Sequence, residues 1–348
     1  MTYEMSLKFG LSAYVSNFDT QKPMLEKLAH QNISIFTSLH IGEEVTATYV
    51  EDIQRMCDWL HTNGFSIMAD VSPYTLERFN VASLRELVDQ LHLKNLRLDF
   101  GFDTQSLVDE LQGVELTFNA STILGEMAVH EGSNYMHNFY PRPETGLDGD
   151  FFDMLNKKIR DKDGEILAFI AGDEGKRGPI HDGLPTLEYH RYAAPYAQYI
   201  DLRNTYDMDA IYLGDLTLSQ AQLTLILEYE KDEILRLPVS IHKGHENLYN
   251  QPFTVRVDSP NGLARVQESR EFAQSGKEVA VENTKERVRG AITMDNKRYK
   301  RYSGEIQIMR AAYPADERVN VIGELAEKYL LLLDNLENGQ RFMFVPEE

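Results

Sequence analysis

The chain has 348 residues, 42% of them hydrophobic, and its 55 acidic and 35 basic side chains give a formal net charge of −20. This length and composition suit a folded protein with one large domain or two unequal ones, and they exclude a disordered or fibrous chain. The acidic balance opposes attraction to a phosphate backbone, so we expect no nucleic-acid partner, and an anionic small ligand would need a local basic pocket.

The N-terminal residues and the cysteine content indicate a cytoplasmic protein. The first stretch, MTYEMSLKFGLSAY, lacks the charged segment followed by a long apolar one that is typical of a secretory signal. No window approaches the roughly 18 uninterrupted apolar residues of a membrane span. The single cysteine, Cys57, cannot form an intrachain disulfide. We therefore expect a cytoplasmic location and no membrane partner.

Eight apolar, β-rich runs alternate with segments of helical spacing over the first 232 residues. The runs are Leu7–Tyr14, Ile33–Leu39, Phe65–Val71, Leu96–Phe100, Val114–Phe118, Tyr135–Tyr140, Ile166–Ile170 and Ala210–Leu213. The helical segments are Lys22–His30, Thr46–His61, Val81–Leu91, Thr104–Leu111, Ser121–Glu131, Asp150–Arg160, Leu187–Asn204 and Leu218–Asp232. Such alternation predicts parallel strands, and eight units in about 230 residues have the usual size of a closed (β/α)8 barrel. A doubly wound open sheet is the alternative, but no GxGxxG motif follows the first run.

The pattern changes after Asp232, where short alternating or apolar strands are separated by Gly, Pro and Asn. The strand segments are LRLPVSIH, FTVRVDS, VRGAITMD, GEIQIMRAAY and QRFMFV. One helix is predicted among them, near Val321–Leu332. We therefore predict a barrel domain over residues 1–232 and a small β-rich barrel domain over residues 233–348.

Ligands of a (β/α)8 barrel bind at the C-terminal ends of the strands, so the polar side chains at the end of each run or just after it are candidate site residues. They are Asp70, Asp99, Asn119, Asn138, Tyr140, Arg142, Lys176, Arg177 and Asp215. Other acids near these ends, Glu43, Glu44 and Asp103, are better explained as helix-capping or solvent-facing side chains.

Carboxylates and a group of cations at one barrel mouth predict acid-base chemistry on an anionic substrate. Arginine can hold a phosphate or carboxylate in a bidentate fork, and lysine adds a point charge. Two carboxyl groups in different environments can act as proton donor and as base or nucleophile, which glycosidic cleavage requires. Two alternatives stay open: Asp70 could cap a turn, and the loop of Lys176 and Arg177 could be an ordinary solvent-exposed loop. No histidine motif suits a metal, so we expect neither metal nor cofactor.

Several extended segments resemble the 6-phospho-N-acetylmuramidase family in the same order along the chain. They are NFYPRPETGL, KRGPIHDGLPTLEYHR, LGD at 213–215, ITMDNKRYKRYSGEIQI and VNVIGEL. The resemblance covers essentially the whole chain. It implies a (β/α)8 barrel followed by a cyclophilin-like β domain.

The resemblance also implies an activity and a substrate. A member of this family would be a bacterial glycosidase of cell-wall recycling that hydrolyses the β-1,4 bond of N-acetylmuramic acid 6-phosphate–N-acetylglucosamine. That disaccharide carries a phosphate and a lactyl carboxylate, which suits Arg142, Lys176 and Arg177. It would be the small-molecule partner, and the sequence is compatible with a homo-oligomer.

The positions that match the family motifs suggest roles for the candidate residues. These positions are Asp70, Asp99, Asn119, Asn138, Tyr140, Arg142, Gly146, Arg177, Gly178, Pro179 and Asp215. We predict that Asp70 and Asp99 form the catalytic carboxylate pair, with Asp215 as the substitute for either. Asn119 and Tyr140 would orient sugar hydroxyl or acetamido groups.

Two other functions remain open at this point. A sugar-phosphate aldolase or isomerase could use the same barrel and anion site, although no lysine at a strand end stands out as a Schiff-base former. A non-catalytic sugar-phosphate-binding regulator is the second alternative.

Overall fold

A closed barrel of eight parallel strands occupies the N-terminal part of the chain in this computed structural model, which describes residues 7–39, 46–98, 111–123, 132–270 and 278–347. The strands are β1 Phe9–Ser12, β2 Ser34–Ser38, β3 Ser66–Val71, β4 Leu93–Leu98, β5 Glu115–Asn119, β6 Asn134–Met136, β7 Glu165–Ile170 and β8 Ala210–Leu213. Each pairs in parallel with the next, and β8 pairs with β1. The predicted (β/α)8 barrel is confirmed.

The burial of the barrel strands explains why they are runs of apolar residues in the sequence. Strands of a parallel barrel are buried on both faces, so little alternation with polar residues is expected. In β7, only Glu165 at the first position is exposed. Six buried side chains from five of the strands pack together inside the barrel: Phe36, Met68, Met136, Leu167, Phe169 and Tyr212. This packed interior leaves the strand ends as the place for a ligand.

The described helices are α1 Phe18–Lys27, α2 Tyr49–Thr62, α3 Pro73–Phe79, α4 Leu84–Leu91, α5 Gly149–Arg160, α6 Pro195–Asn204 and α7 Gln220–Asp232. The short helix α3 was not predicted, although Ser72 and Thr75 form a capping box at its start and Pro73 suits its first turn. The continuous helix predicted over 187–204 is wrong in its first half, where Glu188–His190 forms a 3-10 helix. Helix α6 begins only at Pro195, whose missing N–H is tolerated at a helix start.

Two predicted helices cannot be compared in full with the structure. Residues 104–110 and 124–131, which make up most of them, lie outside the described residues. Within the described part, Ala120–Thr122 forms a 3-10 helix directly after β5.

A seven-stranded sheet follows the barrel sequence. Its strands are β9 Leu235–Ile241, β10 Pro252–Thr254, β11 Leu263–Arg265, β12 Ala291–Asp295, β13 Ile306–Met309, β14 Val319–Leu325 and β15 Arg341–Pro346. They are arranged in the order β10-β15-β9-β14-β12-β13-β11. An antiparallel bridge between Val255 and Val266 joins the two edges, so the sheet curls back on itself. The predicted small β-rich barrel domain after residue 232 is confirmed as a curled sheet that forms a half-barrel.

The helix predicted near Val321–Leu332 is wrong. Its first residues belong to β14, a central strand that pairs with β12 on one side and β9 on the other. The β-branched residues Val319 and Val321 suit such a strand. The following residues, Glu327–Leu333, form a 3-10 helix rather than an α-helix.

The chain divides into two compact units by its internal contacts. One comprises Met1–Arg191 and Tyr206–Ser219, and the other comprises Tyr192–Thr205 and Gln220–Glu348. The domain boundary predicted between residues 232 and 233 stays a prediction. Among the described helices, none has both the length and the apolar character needed to cross a bilayer.

Candidate active site

A cavity of about 220 Å³ lies among residues from the C-terminal halves and ends of the barrel strands. Its lining residues are Phe36, Asp70, Arg97, Asn119, Asn138, Phe139, Tyr140 and Phe169. Four of them, Asp70, Asn119, Asn138 and Tyr140, were predicted as site residues. Because they come from three different strand ends, only the closed barrel brings them together.

The guanidinium of Arg97 links two of these side chains. Its Nη1 donates to Asp70 Oδ1 over 3.0 Å, and its Nη2 donates to Asn138 Oδ1 over 2.6 Å. Asp70 and Arg97 lie directly opposite each other in the parallel pairing of β3 with β4. Both side chains are more than nine-tenths buried. Such a partner favours the ionised form of a buried carboxylate, because protonation would leave the guanidinium without a counter-charge.

Asn119 and Asn138 are held next to each other through Ser121. The backbone N–H of Ser121 donates to Asn119 Oδ1 over 3.0 Å. The Ser121 hydroxyl oxygen accepts from the backbone N–H of Asn138 over 2.9 Å. A local backbone contact therefore fixes the Asn119 side chain, and Ser121 holds the Asn138 backbone beside it.

Ser121 lies between the residues of the cavity wall and a buried histidine. Burial raises the pKa of the Tyr140 phenol, and the neighbouring Ser121 hydroxyl opposes that rise. Ser121 Oγ lies 3.4 Å from His137 Nδ1, and His137 Nε2 lies 2.7 Å from Asn156 Oδ1. Burial lowers the pKa of His137 to about 4, so this imidazole is neutral at pH 7.

Three phenylalanines form the apolar part of the cavity wall, here called the phenylalanine cluster: Phe36, Phe139 and Phe169. The ring centroids of Phe36 and Phe169 and those of Phe139 and Phe169 are 5.1 Å apart. All three pairs are edge-to-face, a favourable arrangement for aromatic rings. The cavity thus combines polar groups with an apolar surface, as small-molecule sites commonly do.

Asp215 occupies a different environment. Its carboxylate accepts hydrogen bonds from the backbone N–H groups of Gly172, Arg177 and Leu184, at 2.8, 2.9 and 3.0 Å. Burial raises its pKa, while these three donors and the nearby Lys176 oppose the rise. With both oxygens engaged by the loop after β7, this geometry favours a role in holding that loop over one in proton transfer.

The cations predicted to bind an anion are distributed over two loops. The guanidinium of Arg177 lies 3.9 Å from the ring centroid of Tyr14, which is a cation–π contact. Tyr14 is fixed in turn by the bond from its hydroxyl to the Gly214 carbonyl, at 2.7 Å. Arg142 is exposed, and within the described residues its guanidinium forms no hydrogen bond or ion pair.

A buried ion pair fixes the loop that follows β6. Arg191, which is almost fully buried, donates from Nε and Nη2 to the two oxygens of Glu188, at 2.7 and 2.6 Å. Those same oxygens accept from the backbone N–H groups of Glu144 and Gly146, at 2.8 and 2.7 Å. The hydrogen bonds with Arg191 lower the pKa of Glu188 to about 2. This glutamate therefore anchors residues 144–146 as a charged acceptor.

Sequence reasoning missed three residues of this region: Arg97, Glu188 and Arg191. A signal was present for Arg97, since an arginine between two leucines inside an apolar strand of a parallel sheet is unusual and calls for a buried partner. Glu188 and Arg191 have the i, i+3 spacing of an ion pair, but that spacing is also common on solvent-facing surfaces. One predicted catalytic residue, Asp99, lies outside the described residues, as do Glu43, Glu44 and Asp103.

A metal site was not expected from the sequence. In the ranges that the structure describes, no group of three or more His, Cys, Asp or Glu side chains is arranged to hold a metal ion.

The fold and the cavity define a protein with a (β/α)8 barrel, a following β domain and a polar site at the barrel mouth that contains a buried carboxylate paired with an arginine. Two family models match almost the whole chain: 6-phospho-N-acetylmuramidase, N-terminal, over residues 9–228, and 6-phospho-N-acetylmuramidase, C-terminal, over residues 235–345. The chain belongs to the 6-phospho-N-acetylmuramidase family.

Two crystal structures are similar to this chain over nearly its full length. A conserved Enterococcus faecalis protein of unknown function has 28% sequence identity and a TM-score of 0.83, with 97% of this chain and 96% of that chain covered. An uncharacterized B. cereus protein has 26% identity and a TM-score of 0.76, with 98% and 100% covered. Among curated proteins, no sequence matches this chain significantly.

Proposed function

We propose that the protein is a glycosidase that hydrolyses the β-1,4 bond between N-acetylmuramic acid 6-phosphate and N-acetylglucosamine in cytoplasmic peptidoglycan recycling. The observation that carries this proposal is the match of both family models, whose common description is a 6-phospho-N-acetylmuramidase. The cavity supports it, because glycoside cleavage needs carboxyl groups beside a site that can hold a sugar ring.

Asp70 is the described carboxylate best placed for the chemistry. It lines the cavity, and its ion pair with Arg97 favours its ionised form. An ionised carboxylate can act as nucleophile, as general base for water, or as a stabiliser of positive charge on the sugar, but it cannot donate the proton to the leaving group. A second carboxyl group must supply that proton, and Asp99 stays the sequence-based prediction for it.

We propose a structural role for Asp215 in place of a catalytic one. Its three backbone hydrogen bonds hold the loop that carries Lys176 and Arg177. In this proposal the two cations meet the phosphate or lactyl carboxylate of the substrate, and Arg142 extends the same positive region from the loop after β6. A local group of cations would allow a protein of net charge −20 to bind an anion.

The test is to incubate the purified full chain with the 6-phosphorylated muramyl-glucosamine disaccharide and to identify the products by mass. We expect two monosaccharides from the wild type and a rate lower by roughly 10²–10⁴-fold for Asp70→Asn, since general acid-base or nucleophilic groups contribute on that scale. Asp150→Asn, at an exposed position of α5, is the matched control and should cleave at the wild-type rate.

Circular dichroism would establish that the Asp70→Asn chain is folded. Near-normal turnover in a folded Asp70→Asn protein would remove Asp70 from the mechanism. Tight binding of the disaccharide without any cleavage by the wild type would instead favour a sugar-phosphate-binding regulator.

A further inference from the structure

A second cavity, of about 550 Å³, lies among the loops of the seven-stranded sheet and shares no lining residue with the barrel-mouth cavity. Its wall includes Arg289, Arg310, Asp334, Glu337 and Asn338, all from the unit that contains this sheet. Arg310 directly follows β13, Arg289 lies two residues before β12, and the other three precede β15. The volume is in the range of small-molecule sites, so the charges of the wall indicate which ligands it can hold.

The guanidinium of Arg310 is held in place by neutral acceptors. Its Nη1 and Nη2 groups each donate to Asn338 Oδ1 over 3.3 Å. Nη1 also donates to the Pro260 carbonyl over 3.5 Å, and Nη2 donates to the Leu336 carbonyl. Asn338 is fixed in turn, because its NH2 group donates to the Ser259 carbonyl over 2.7 Å. The Arg310 side chain is therefore fixed in orientation at the cavity wall.

The positive charge of Arg310 is not neutralised by any carboxylate among the described residues. Three other buried guanidinium groups do pair with carboxylates, at 2.6–3.0 Å: those of Arg97, Arg191 and Arg236. Carbonyl oxygens satisfy N–H donors but leave the charge uncompensated, and burial lowers the pKa of Arg310. Its Nε–H also has no acceptor within the described residues. Arg310 thus has one donor and one positive charge for a ligand.

The two acids of the wall differ in their partners. Asp334 Oδ1 accepts from Arg289 Nη2 over 2.7 Å, so these two side chains neutralise each other. Glu337 is exposed, and in the described part of the chain its carboxylate forms no hydrogen bond or ion pair. The cavity therefore carries one unpaired positive charge, on Arg310, and one unpaired negative charge, on Glu337.

These charges select among ligands. A phosphate dianion would meet a single unpaired cation together with the carboxylates of Asp334 and Glu337. A simple cation would meet the uncompensated charge of Arg310. A ligand with a carboxylate at one end and an ammonium group at the other would pair with both charges.

The uncharged part of the wall suits a peptide between those two ends. Leu333 and Leu336 are both 2% exposed and supply apolar surface. Asn261 also lines the cavity, and its side-chain amide can both donate to and accept from a peptide group.

We propose that this cavity binds a short peptide with free ends, its carboxylate on Arg310 and its ammonium group on Glu337. Arg310 contributes more of the affinity, because its guanidinium is partly buried and held in place, whereas water weakens a pair with the exposed Glu337. This binding is independent of the proposed hydrolysis, since the two cavities have no lining residue in common.

Three peptides that differ only at their ends test the proposal. Alanylalanine has both free ends, its C-terminal amide lacks the carboxylate, and N-acetyl-alanylalanine lacks the ammonium group. Binding of each to the full chain at pH 7 is measured by ligand-observed NMR titration. We expect alanylalanine to bind roughly 10- to 100-fold more tightly than its amide, as for the loss of a hydrogen bond to a charged group. It should bind about 2- to 5-fold more tightly than the acetylated peptide, as for an exposed ion pair.

Arg310→Gln removes the unpaired positive charge. The folded variant should bind alanylalanine and its amide with affinities within about 3-fold of each other. Because the guanidinium also contacts neighbouring carbonyls, circular dichroism establishes that the variant is folded. Arg298→Gln is the matched control, because this exposed arginine pairs with Glu317 outside the cavity and its loss should leave the full difference.

Glu337→Gln tests the other end at an exposed position where folding is not at stake. The preference for the free amino group should disappear, while the preference for the free carboxylate remains. Glu324→Gln, an exposed position of β14 outside the cavity, should retain both preferences.

Four results would overturn the proposal. The first two concern the wild type: no binding of alanylalanine at millimolar concentration, or equal affinities for alanylalanine and its amide. The other two are an undiminished carboxylate preference in folded Arg310→Gln and an undiminished amino-group preference in Glu337→Gln. If Arg310→Gln does not fold, the wild-type comparison and Glu337→Gln still decide the outcome.

Discussion

His137 shows how a single residue couples the candidate site to the stability of the barrel. It is fully buried beside Asn156 on α5, with its ring 4.4 Å from that of Phe152. Burial lowers its pKa from 6.5 to about 4. Between about pH 4 and pH 6.5, the His137 imidazole therefore binds a proton in the unfolded chain but not in the folded state. The stability contributed by the neutral imidazole is complete above pH 6.5 and is lost as the pH falls toward 4.

This shift predicts a pH-dependent effect of His137→Gln. A glutamine does not titrate, so the decrease in the free energy of unfolding between pH 7 and pH 5 should be smaller in the variant by about 2 kcal/mol. Denaturant unfolding at the two pH values measures it. His61→Gln, at an exposed position on α2, is the control and should show the wild-type decrease. A variant that declines as steeply as the wild type would show that His137 is not the titrating group.

At the scale of elements, the loop after β6 owes its conformation to a contact 44 residues away in sequence, from the Glu144 backbone to the Glu188 carboxylate. Glu144 adopts a left-handed φ of 69°, which costs energy for a residue with a side chain. A Cβ atom at Gly146 would lie 2.8 Å from Glu188 Cα, so only glycine fits there. The NFYPRPETG segment is therefore an anchored loop whose Asn138 and Tyr140 reach the cavity.

Glu188→Gln should weaken the contacts of residue 188 with the backbone of residues 144–146 and with Arg191. The change leaves the buried guanidinium of Arg191 without its counter-charge, and breaking a buried pair in this way costs about 3 kcal/mol. Thermal unfolding should show a midpoint lower by several degrees. Glu144→Gln removes an exposed carboxylate of the same loop and should leave the midpoint unchanged. Equal midpoints for the two variants would contradict the anchoring role.

Over the whole molecule, two buried groups, one in each unit, contribute to stability with opposite pH dependence. In the seven-stranded sheet, burial and the neighbouring Glu305 raise the pKa of Asp295 from 3.8 to about 7. The folded state holds this proton more tightly than the unfolded chain does. The resulting stability is complete below about pH 3.8 and is lost as the pH rises through about 7, whereas the His137 contribution is lost toward acid.

Asp295→Asn should therefore stabilise the protein most at alkaline pH. The decrease in the free energy of unfolding between pH 5 and pH 8 should be smaller than in the wild type by on the order of 2–3 kcal/mol. Denaturant titrations at both pH values provide the measurement. Glu324→Gln, an exposed position on β14, serves as control and should leave the pH dependence unaltered. A decline in Asp295→Asn equal to that of the wild type would refute the assignment.

The sequence by itself determined the architecture and four of the residues that line the barrel-mouth cavity. Strands buried on both faces require apolar runs, and eight such runs alternating with helical segments leave few alternatives to a closed barrel. Because strand ends converge in that fold, the sequence alone could assign Asp70, Asn119, Asn138 and Tyr140 to one site, and all four line the same cavity. Local sequence patterns gave a wrong prediction where pairing with distant strands decides the conformation. The residues of β14, which pair with β12 and β9, were predicted to be helical.

Only the tertiary structure decided what each side chain does. Asp70 lies near the end of an apolar strand and Asp215 follows one, yet Asp70 faces a guanidinium 27 residues away and Asp215 accepts from three backbone groups of a neighbouring loop. The orientation of the Asn138 amide depends on Arg97, which is 41 residues away. The charge and hydrogen-bond partners of a polar group are set by its neighbours in space, and sequence spacing does not determine those neighbours.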